Sequence, residues 1–252
     1  MSINESIILG IIQGITEFLP ISSSGHLVLV QEFLGIEQPG NEFEILLHIG
    51  TLGSILFVFF NDIKMLCLSI KSRKTQKFIF FIFVATLPAI IIGLGFKDNL
   101  ESLFDNLSVV GFALIFTGVV LSSSYFLNRK DNDFSYLSSI LIGLAQALAI
   151  IPGISRSGMT ISSALLLGLS SKQAARFSFL LAIPVIGGAG FLLALDITND
   201  SQIELLVGLA GLVSSFVVGV FSLKWLLGWL EDGKFHYFGI YCLFIGLLTI
   251  FI

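Results

Sequence analysis

Two short runs in this chain put polar and charged side chains into otherwise apolar sequence. The first contains Gln13, Glu17, Ser22, Ser23, Ser24, Gly25 and His26; the second contains Ser155, Arg156, Ser157, Gly158 and Thr160. Gln13 and Glu17 are four residues apart, so on a helix they share one face. A carboxylate inside an apolar segment is expensive and by default marks function. Just beyond it, the serines, the glycine and the histidine supply hydroxyls, backbone N–H groups and an imidazole. A Ser/Gly-rich turn that leads into a helix can form an anion-binding nest. In the second run Arg156 is expected at the start of a helix, where partial positive charge already accumulates. A guanidinium added there calls for an anion, and phosphate meets that need because arginine holds it bidentately.

One run is therefore acidic and the other basic. A hard divalent cation, Mg2+ or Ca2+, held by Glu17 and Gln13 would bridge to phosphate oxygens. Arg156 would neutralise developing charge from the opposite side. His26 is placed to act as base or nucleophile. Plainer readings stand beside these. Glu17 would cap a backbone break, Gln13 would bond between helices, and the serines would satisfy freed backbone groups. His26 would be a packed histidine and Thr160 an ordinary helix residue.

The elements that must position these groups follow from composition. Of 252 residues 55% are hydrophobic and 12% charged, with a net charge of −4. A soluble domain carries about twice that charged fraction. There is no basic stripe of the kind nucleic-acid binding needs. The N-terminus lacks the pattern of a cleaved signal peptide, so the first span is expected to direct insertion. Cys67 and Cys242 sit in or beside apolar segments, with no C-x-x-C or Cys/His cluster, and read as small packing residues.

Apolar spans long enough to cross a bilayer are predicted at 43–60, 77–96, 107–127, 176–195, 203–228 and 236–252. Two further stretches, 4–34 and 136–168, are interrupted midway by Pro, Ser and Gly, at Leu19–Gly25 and Ile151–Gly158. Those residues break helices, and broken backbone at membrane depth survives only where protein or a water-filled cavity satisfies it. Both stretches therefore read as re-entrant helix–loop–helix hairpins. A shift of 133 carries Gly10 to Gly143, Gln13 to Gln146, Ile21-Ser22 to Ile154-Ser155 and Ser24-Gly25 to Ser157-Gly158. The chain thus reads as one integral membrane domain, 1–252, built from internal repeats at about 1–127 and 134–252. The same shift sets Ser23 opposite Arg156 and Glu17 opposite Ile150, so the halves divide the labour.

Charge sets the expected orientation. The 61–77 connection carries Lys64, Lys71, Arg73, Lys74 and Lys77 against Asp62 and should be cytoplasmic. Asp98, Glu101 and Asp105 against Lys97 put 97–106 outside, and Asp196, Asp200 and Glu204 put 196–204 outside. The 128–133 loop, with Arg129 and Lys130 against Asp131 and Asp133, falls inside by counting spans. The first hairpin then enters from outside and the second from the cytoplasm, with both termini outside. The expected fold is an all-α polytopic membrane protein of six spanning helices plus two re-entrant hairpins in an inverted-topology repeat. Such repeats usually meet near the midplane and form the site there.

The run from Gln13 to His26 resembles the Glu/Gln-x-x-x-Glu and Ser-rich His motif of bacterial undecaprenyl-diphosphate phosphatases of the BacA type. Pro152 to Thr160 is similar to that family's P-G-x-S-R-S-x-x-T motif, and Phe43–Leu52 and Phe179–Pro184 also have the family's look. The resemblance covers essentially the whole chain. It implies divalent-metal-dependent hydrolysis of undecaprenyl diphosphate to undecaprenyl phosphate and inorganic phosphate. That reaction recycles the carrier for peptidoglycan synthesis in the bacterial cytoplasmic membrane and can confer bacitracin resistance. By matching position, Glu17 and Gln13 take the acidic-motif roles at the metal, and Ser23 and His26 the catalytic serine and histidine positions. Ser155, Arg156 and Thr160 take the phosphate-binding ones. Gln13 is the neutral form of its motif position. Serine and histidine both remain open as nucleophile, and a homodimer is one assembly the resemblance allows.

The rival function is a transporter or lipid flippase, since inverted repeats with broken hairpins also describe carriers of anions. A carrier needs a binding site but no nucleophile, so the carboxylate–histidine–arginine set discriminates. Other polar residues read as structural. His48 and Thr51 would hydrogen-bond between helices, Gln146 would be structural, and Glu42 and Glu44 would be exposed at a span entrance, where one of them could instead help the metal site. Lys172 and Arg176 would snorkel to the interface. His236, Trp225, Trp229 and Tyr237 would anchor at the interface.

Overall fold

The computed structural model describes residues 1–36, 42–96, 103, 106–126, 132–196 and 203–251, with backbone alone for 192–196. Among the described residues eleven α-helices follow in chain order. They are α1 (Ile3–Thr16), α2 (Ser23–Leu34), α3 (Glu42–Val58), α4 (Phe60–Leu68), α5 (Arg73–Gly95), α6 (Leu107–Ser123), α7 (Tyr136–Leu148), α8 (Arg156–Leu166), α9 (Ser171–Asp196), α10 (Leu205–Glu231) and α11 (Tyr237–Ile250). A 3-10 turn, Ser124–Phe126, extends α6. Among the described residues α5, α6, α9 and α10 are long and apolar enough to cross a membrane, and the α3–α4 pair, bent by 68°, makes a fifth candidate. The chain is a multi-pass membrane protein.

The interrupted stretches fold as paired short helices. In each, a serine-capped helix runs into a turn and a second serine-capped helix leaves it. Ser2 caps α1 in a reciprocal box with Glu5, and Ser135 caps α7 in the same way with Ser138. The turns fall at 17–22 and 149–155, where the sequence places its Pro/Gly/Ser interruptions.

Helix pairs close on small residues, the usual device where lipid gives apolar side chains no reason to leave it. Gly10 and Gly14 of α1 lie on Gly211, Ser214, Ser215 and Gly219 of α10, and Ser6 donates to Val207 O at 2.6 Å. Residue numbers rise together along this seam, so α1 and α10 are parallel. Gly143 of α7 lies on Ala85 of α5 and Ile150 on Gly93, again in parallel. Gly50 and Ser54 of α3 pack on Leu212, Ser215 and Gly219 of α10. Ser54 donates to Phe216 O at 2.8 Å and Ser215 to Leu47 O at 3.0 Å across that seam.

Two other pairs run antiparallel. Gly111 meets Gly246 and Ile250, while Gly118 meets Gly239 and Leu243, joining α6 to α11. Ile49 meets Gly190 and Leu52 meets Gly187, joining α3 to α9. The interior is lined by Phe18, Phe59, Phe177 and Phe179, all buried, while many Phe, Leu and Ile side chains face outward.

Two expectations need correction. Residues 60–68 form α4 rather than part of a connection, because Ile63 and Leu66 pack inward while Asp62 pairs with Arg176. The span expected at 236–252 folds as a shorter apolar helix, α11, of 14 residues. The residues Lys97, Asp98, Glu101, Asp105, Arg129, Lys130, Asp131 and Asp200, on which the orientation partly rests, lie outside the described residues.

A Cβ on Gly10 would lie 2.6 Å from Gly211 O, against backbone that side-chain movement cannot clear. Gly10→Val should therefore cost about 1–3 kcal/mol through overpacking, read as a lowered unfolding midpoint in mixed micelles. Gly188→Ala, with nothing within 4 Å of its added methyl, should leave the midpoint unchanged.

Candidate functional site

Glu17 follows the last residue of α1 with helical backbone, its N–H donating to Gln13 O. It therefore stays on the Gln13 face, as the four-residue spacing predicts. The chain then turns through Leu19-Pro20-Ile21 to Ser22, the one described non-glycine residue with positive φ, at 71°. Such a conformation costs about 1–3 kcal/mol. Ser22 Oγ accepts from Gly25 N at 3.3 Å and caps α2. Its repeat counterpart Ser155 makes the same cap to Gly158 N, at 3.1 Å, with an ordinary φ of −77°. The second turn instead takes its left-handed residue at Gly153, where φ is +94° and Val110 O would sit 2.5 Å from any Cβ. Thr117 of α6 fastens this turn. Its hydroxyl donates to Gly153 O at 3.0 Å and accepts from Ser155 N at 3.2 Å. The two turns touch, for a Cβ on Gly25 would meet Gly153 Cα at 3.1 Å.

Contact between the turns brings Glu17 and Arg156 together. Arg156 Nη2 donates to Glu17 Oε1 at 2.5 Å. Ser23 Oγ donates to Glu17 Oε2 at 2.7 Å, and Gln13 Nε2 donates to the same oxygen at 3.1 Å. One carboxylate thus organises a serine and an amide from its own hairpin and an arginine from the other. Glu17 is 7% exposed, and a charge that buried persists only when it is paired and hydrogen-bonded. Arg156 Nη1 is buried and has no hydrogen-bond partner among the described residues; the same is true of Gln13 Oε1.

A cavity of about 290 Å³ opens over this set, bounded by Glu17, Ser22, Ser23, Ser24, Ser155 and Arg156, with apolar wall from Ile150, Ile154 and Ile186. His48 and Glu44 of α3 also line it. By its place in an apolar span His48 is expected to hydrogen-bond between helices. Instead its Nδ1 donates to Glu44 O in its own helix at 2.8 Å, and its Nε2 faces Glu17 Oε2 at 3.5 Å. Thr51 likewise bonds within its own helix. Gln146 keeps its structural role, donating to Ala85 O at 3.3 Å.

The other expected residues stand further back. His26 is absent from the cavity wall. Its Nδ1 donates to Ser22 O and its Nε2 bonds the Tyr241 hydroxyl of α11, each at 2.8 Å. Thr160 bonds Ser178 at 2.6 Å and Ser157 bonds Ser155 at 3.3 Å, both buried. Gly25 and Gly158 supply the capped N–H groups at the two helix starts. For a hard cation the oxygens at hand are Glu17 Oε2, Ser23 Oγ and the unpartnered Gln13 Oε1. No group of three or more His, Cys, Asp or Glu suited to a metal occurs among the described residues.

The family model described as "Bacitracin resistance protein BacA" matches residues 6–248. The chain belongs to that family. An undecaprenyl-diphosphatase of Halothermothrix orenii is 42% identical over 255 residues, covering 99% of this chain and 98% of the relative. Undecaprenyl-diphosphatase 1 of Bacillus cereus is 40% identical over 257 residues, covering 97% and 95%. An undecaprenyl-diphosphatase of Desulfosudis oleivorans is 41% identical over 272 residues, covering 98% and 97%. Each of the two motifs that carry the family resemblance supplies one partner of the Glu17–Arg156 pair.

Thr117→Val keeps the shape but leaves Gly153 O and Ser155 N unpaired, at a cost of about 1–3 kcal/mol. A lowered midpoint in chemical unfolding should come with reduced turnover, because the turn that carries Arg156 loosens.

Proposed function

We propose that this protein is a polyprenyl-diphosphate phosphatase that hydrolyses undecaprenyl diphosphate to undecaprenyl phosphate and inorganic phosphate. The observation that carries the reading is Arg156. One of its terminal nitrogens holds Glu17, while the other is buried and has no partner among the described residues. A terminal phosphate at Nη1 would complete the fork that arginine offers to oxyanions. The names of the relatives support the lipid substrate, and they give the transporter reading no support.

Ser23 is the nucleophile this geometry favours. Its hydroxyl already donates to Glu17 Oε2, the arrangement of a nucleophile and its base. When a phosphate draws Arg156 from Glu17, the carboxylate regains basicity. Ser23 Oγ then attacks the terminal phosphorus, its proton passes to Glu17, and undecaprenyl phosphate leaves with the bridging oxygen and its electron pair. Glu17 releases that proton to solvent, then takes one from the attacking water and returns it to Ser23 Oγ as the phosphoserine P–O bond breaks and orthophosphate leaves. His26 holds the turn: it ties Ser22 to Tyr241 and lies away from the cavity. Ser22, Ser24, Gly25, Ser155, Ser157, Gly158 and Thr160 shape and cap the two helix starts whose N-terminal charge favours phosphate.

A divalent cation, Mg2+ or Ca2+, fits the donor set. Glu17 and Gln13 would hold it, with His48 alongside, and it would supply charge neutralisation for the diphosphate. The unpartnered Gln13 Oε1 is the observation that favours this. We read the fold as six spans and two re-entrant hairpins in repeats at about 1–127 and 134–252. The antiparallel pairing of equivalent helices, α3 with α9 and α6 with α11, supports an in-plane two-fold relation between the halves. The charge pattern of the sequence supports both termini outside in the bacterial cytoplasmic membrane.

Purified protein should release phosphate from undecaprenyl diphosphate, and EDTA should stop the reaction. Glu17→Gln and Arg156→Ala should each lower turnover by about 100-fold or more, and normal turnover in folded Arg156→Ala would refute the assignment. Ser23→Ala should abolish the phosphoenzyme seen with labelled substrate, whereas His26→Ala should keep it with slower turnover. Loss of the phosphoenzyme in His26→Ala with retention in Ser23→Ala would reverse the two roles. His48→Ala should raise the metal concentration needed for half-maximal rate.

A further inference from the structure

A second cavity, of about 340 Å³, lies at a different place in the fold and shares no lining residue with the first. It sits between α4, the start of α5, the segment at 133–134 and α9. Its floor is apolar, with Leu66, Phe78 and Phe81, and its rim carries Lys74, Lys77 and Arg176. Ser69 and Thr75, hydrogen-bonded to each other at 2.8 Å, add hydroxyls.

The charges around the cavity leave a surplus. Arg176 Nε donates to Asp62 Oδ1 at 2.6 Å, and its guanidinium lies 4.7 Å above the Phe78 ring. Lys77 Nζ lies 5.4 Å from the Phe81 ring centroid, and neither Lys74 nor Lys77 has an ion-pair partner among the described residues. Lys74, Lys77 and Arg176 against Asp62 and the rim residue Asp133 leave one positive charge in excess.

Helix α4 fixes what kind of anion this surface meets. It bends 68° away from α3 and carries Asp62 and Lys64 within nine residues, charges that favour the membrane surface over the hydrocarbon core. Phe60, Met65 and Leu68 on it are 62%, 64% and 78% exposed. A short helix with bare apolar side chains beside a lysine cluster belongs in the plane of the membrane surface, where anionic headgroups concentrate. A cavity with an apolar floor and a cationic rim at that depth matches one molecule with both characters.

We propose that this cavity seats an anionic phospholipid. Its singly charged phosphodiester sits among Lys74, Lys77 and Arg176, and its acyl chains run over Phe78 and the exposed face of α4. The site goes beyond the phosphatase reading and does not depend on it.

The test uses the full-length protein purified in detergent from membranes containing phosphatidylglycerol, with native mass spectrometry counting retained lipid. The unaltered protein should keep phosphatidylglycerol in preference to phosphatidylcholine. In Lys74→Gln/Lys77→Gln retention should fall at least ten-fold. In Lys64→Gln/Lys71→Gln, which removes the same charge outside the cavity, it should not change. Equal loss in both double variants would mean diffuse surface attraction and would overturn the site. Inorganic phosphate supplies the second arm. If millimolar phosphate displaces the lipid and alone raises the unfolding midpoint in phosphatidylcholine nanodiscs, the seat belongs to free phosphate and the lipid assignment falls. An unaltered unfolding midpoint in Lys74→Gln/Lys77→Gln serves as the check on folding, and Lys77→Arg should restore retention if the charge is what matters.

Discussion

The ion pair between Glu17 and Arg156 is the contact on which this molecule turns. Its partners lie on two hairpins 139 residues apart in sequence, and it is the ion pair that joins those hairpins among the described residues. Burying either charge alone would be severely unfavourable, so each hairpin is completed by the other. The backbone accommodates the pairing. Gly25 and Gly153 let the turns touch, Thr117 secures the second turn, and the small-residue seams of α1 with α10 and α5 with α7 hold the hairpins against the rest of the bundle. The same pair gives the site its chemistry, since a carboxylate shared with serine and an arginine with a vacant donor suit the transfer of a phosphate.

Much of this was legible in the sequence, for identifiable reasons. The hairpins announced themselves because proline, glycine and serine interrupt apolar runs where lipid would not tolerate free backbone. Glu17 and Arg156 stood out because ionised groups are rare inside such runs, and the shift of 133 residues predicted that their turns would face each other. Helix α4 was hidden by its charges. Lys64 and Asp62 made 61–77 look like a connection, although Ile63 and Leu66 carry the three-residue spacing of a buried face.

Side-chain direction was the less legible part. His26 adjoins the serine turn, so proximity in sequence suggested catalysis. Its actual course depends on Tyr241, 215 residues later, which no local pattern encodes. His48 is the opposite case. It lies in an apolar span with ordinary helical neighbours, and only the packing of α3 beside α1 turns its Nε2 toward Glu17. A histidine one turn from Glu44 at the mouth of an otherwise apolar span was the one available signal.

The strained backbone at Ser22 sets folding and chemistry against each other. Its twin Ser155 makes the same cap with relaxed backbone, so the positive φ is not what capping requires. The strain instead accompanies the turn that delivers Ser23 to Glu17, and every folded copy carries it whether or not substrate is present. Selection for heat tolerance alone would favour a glycine here and release that tension at the expense of reactivity. The serine that stands here in place of a glycine is therefore a mark of the work the turn performs.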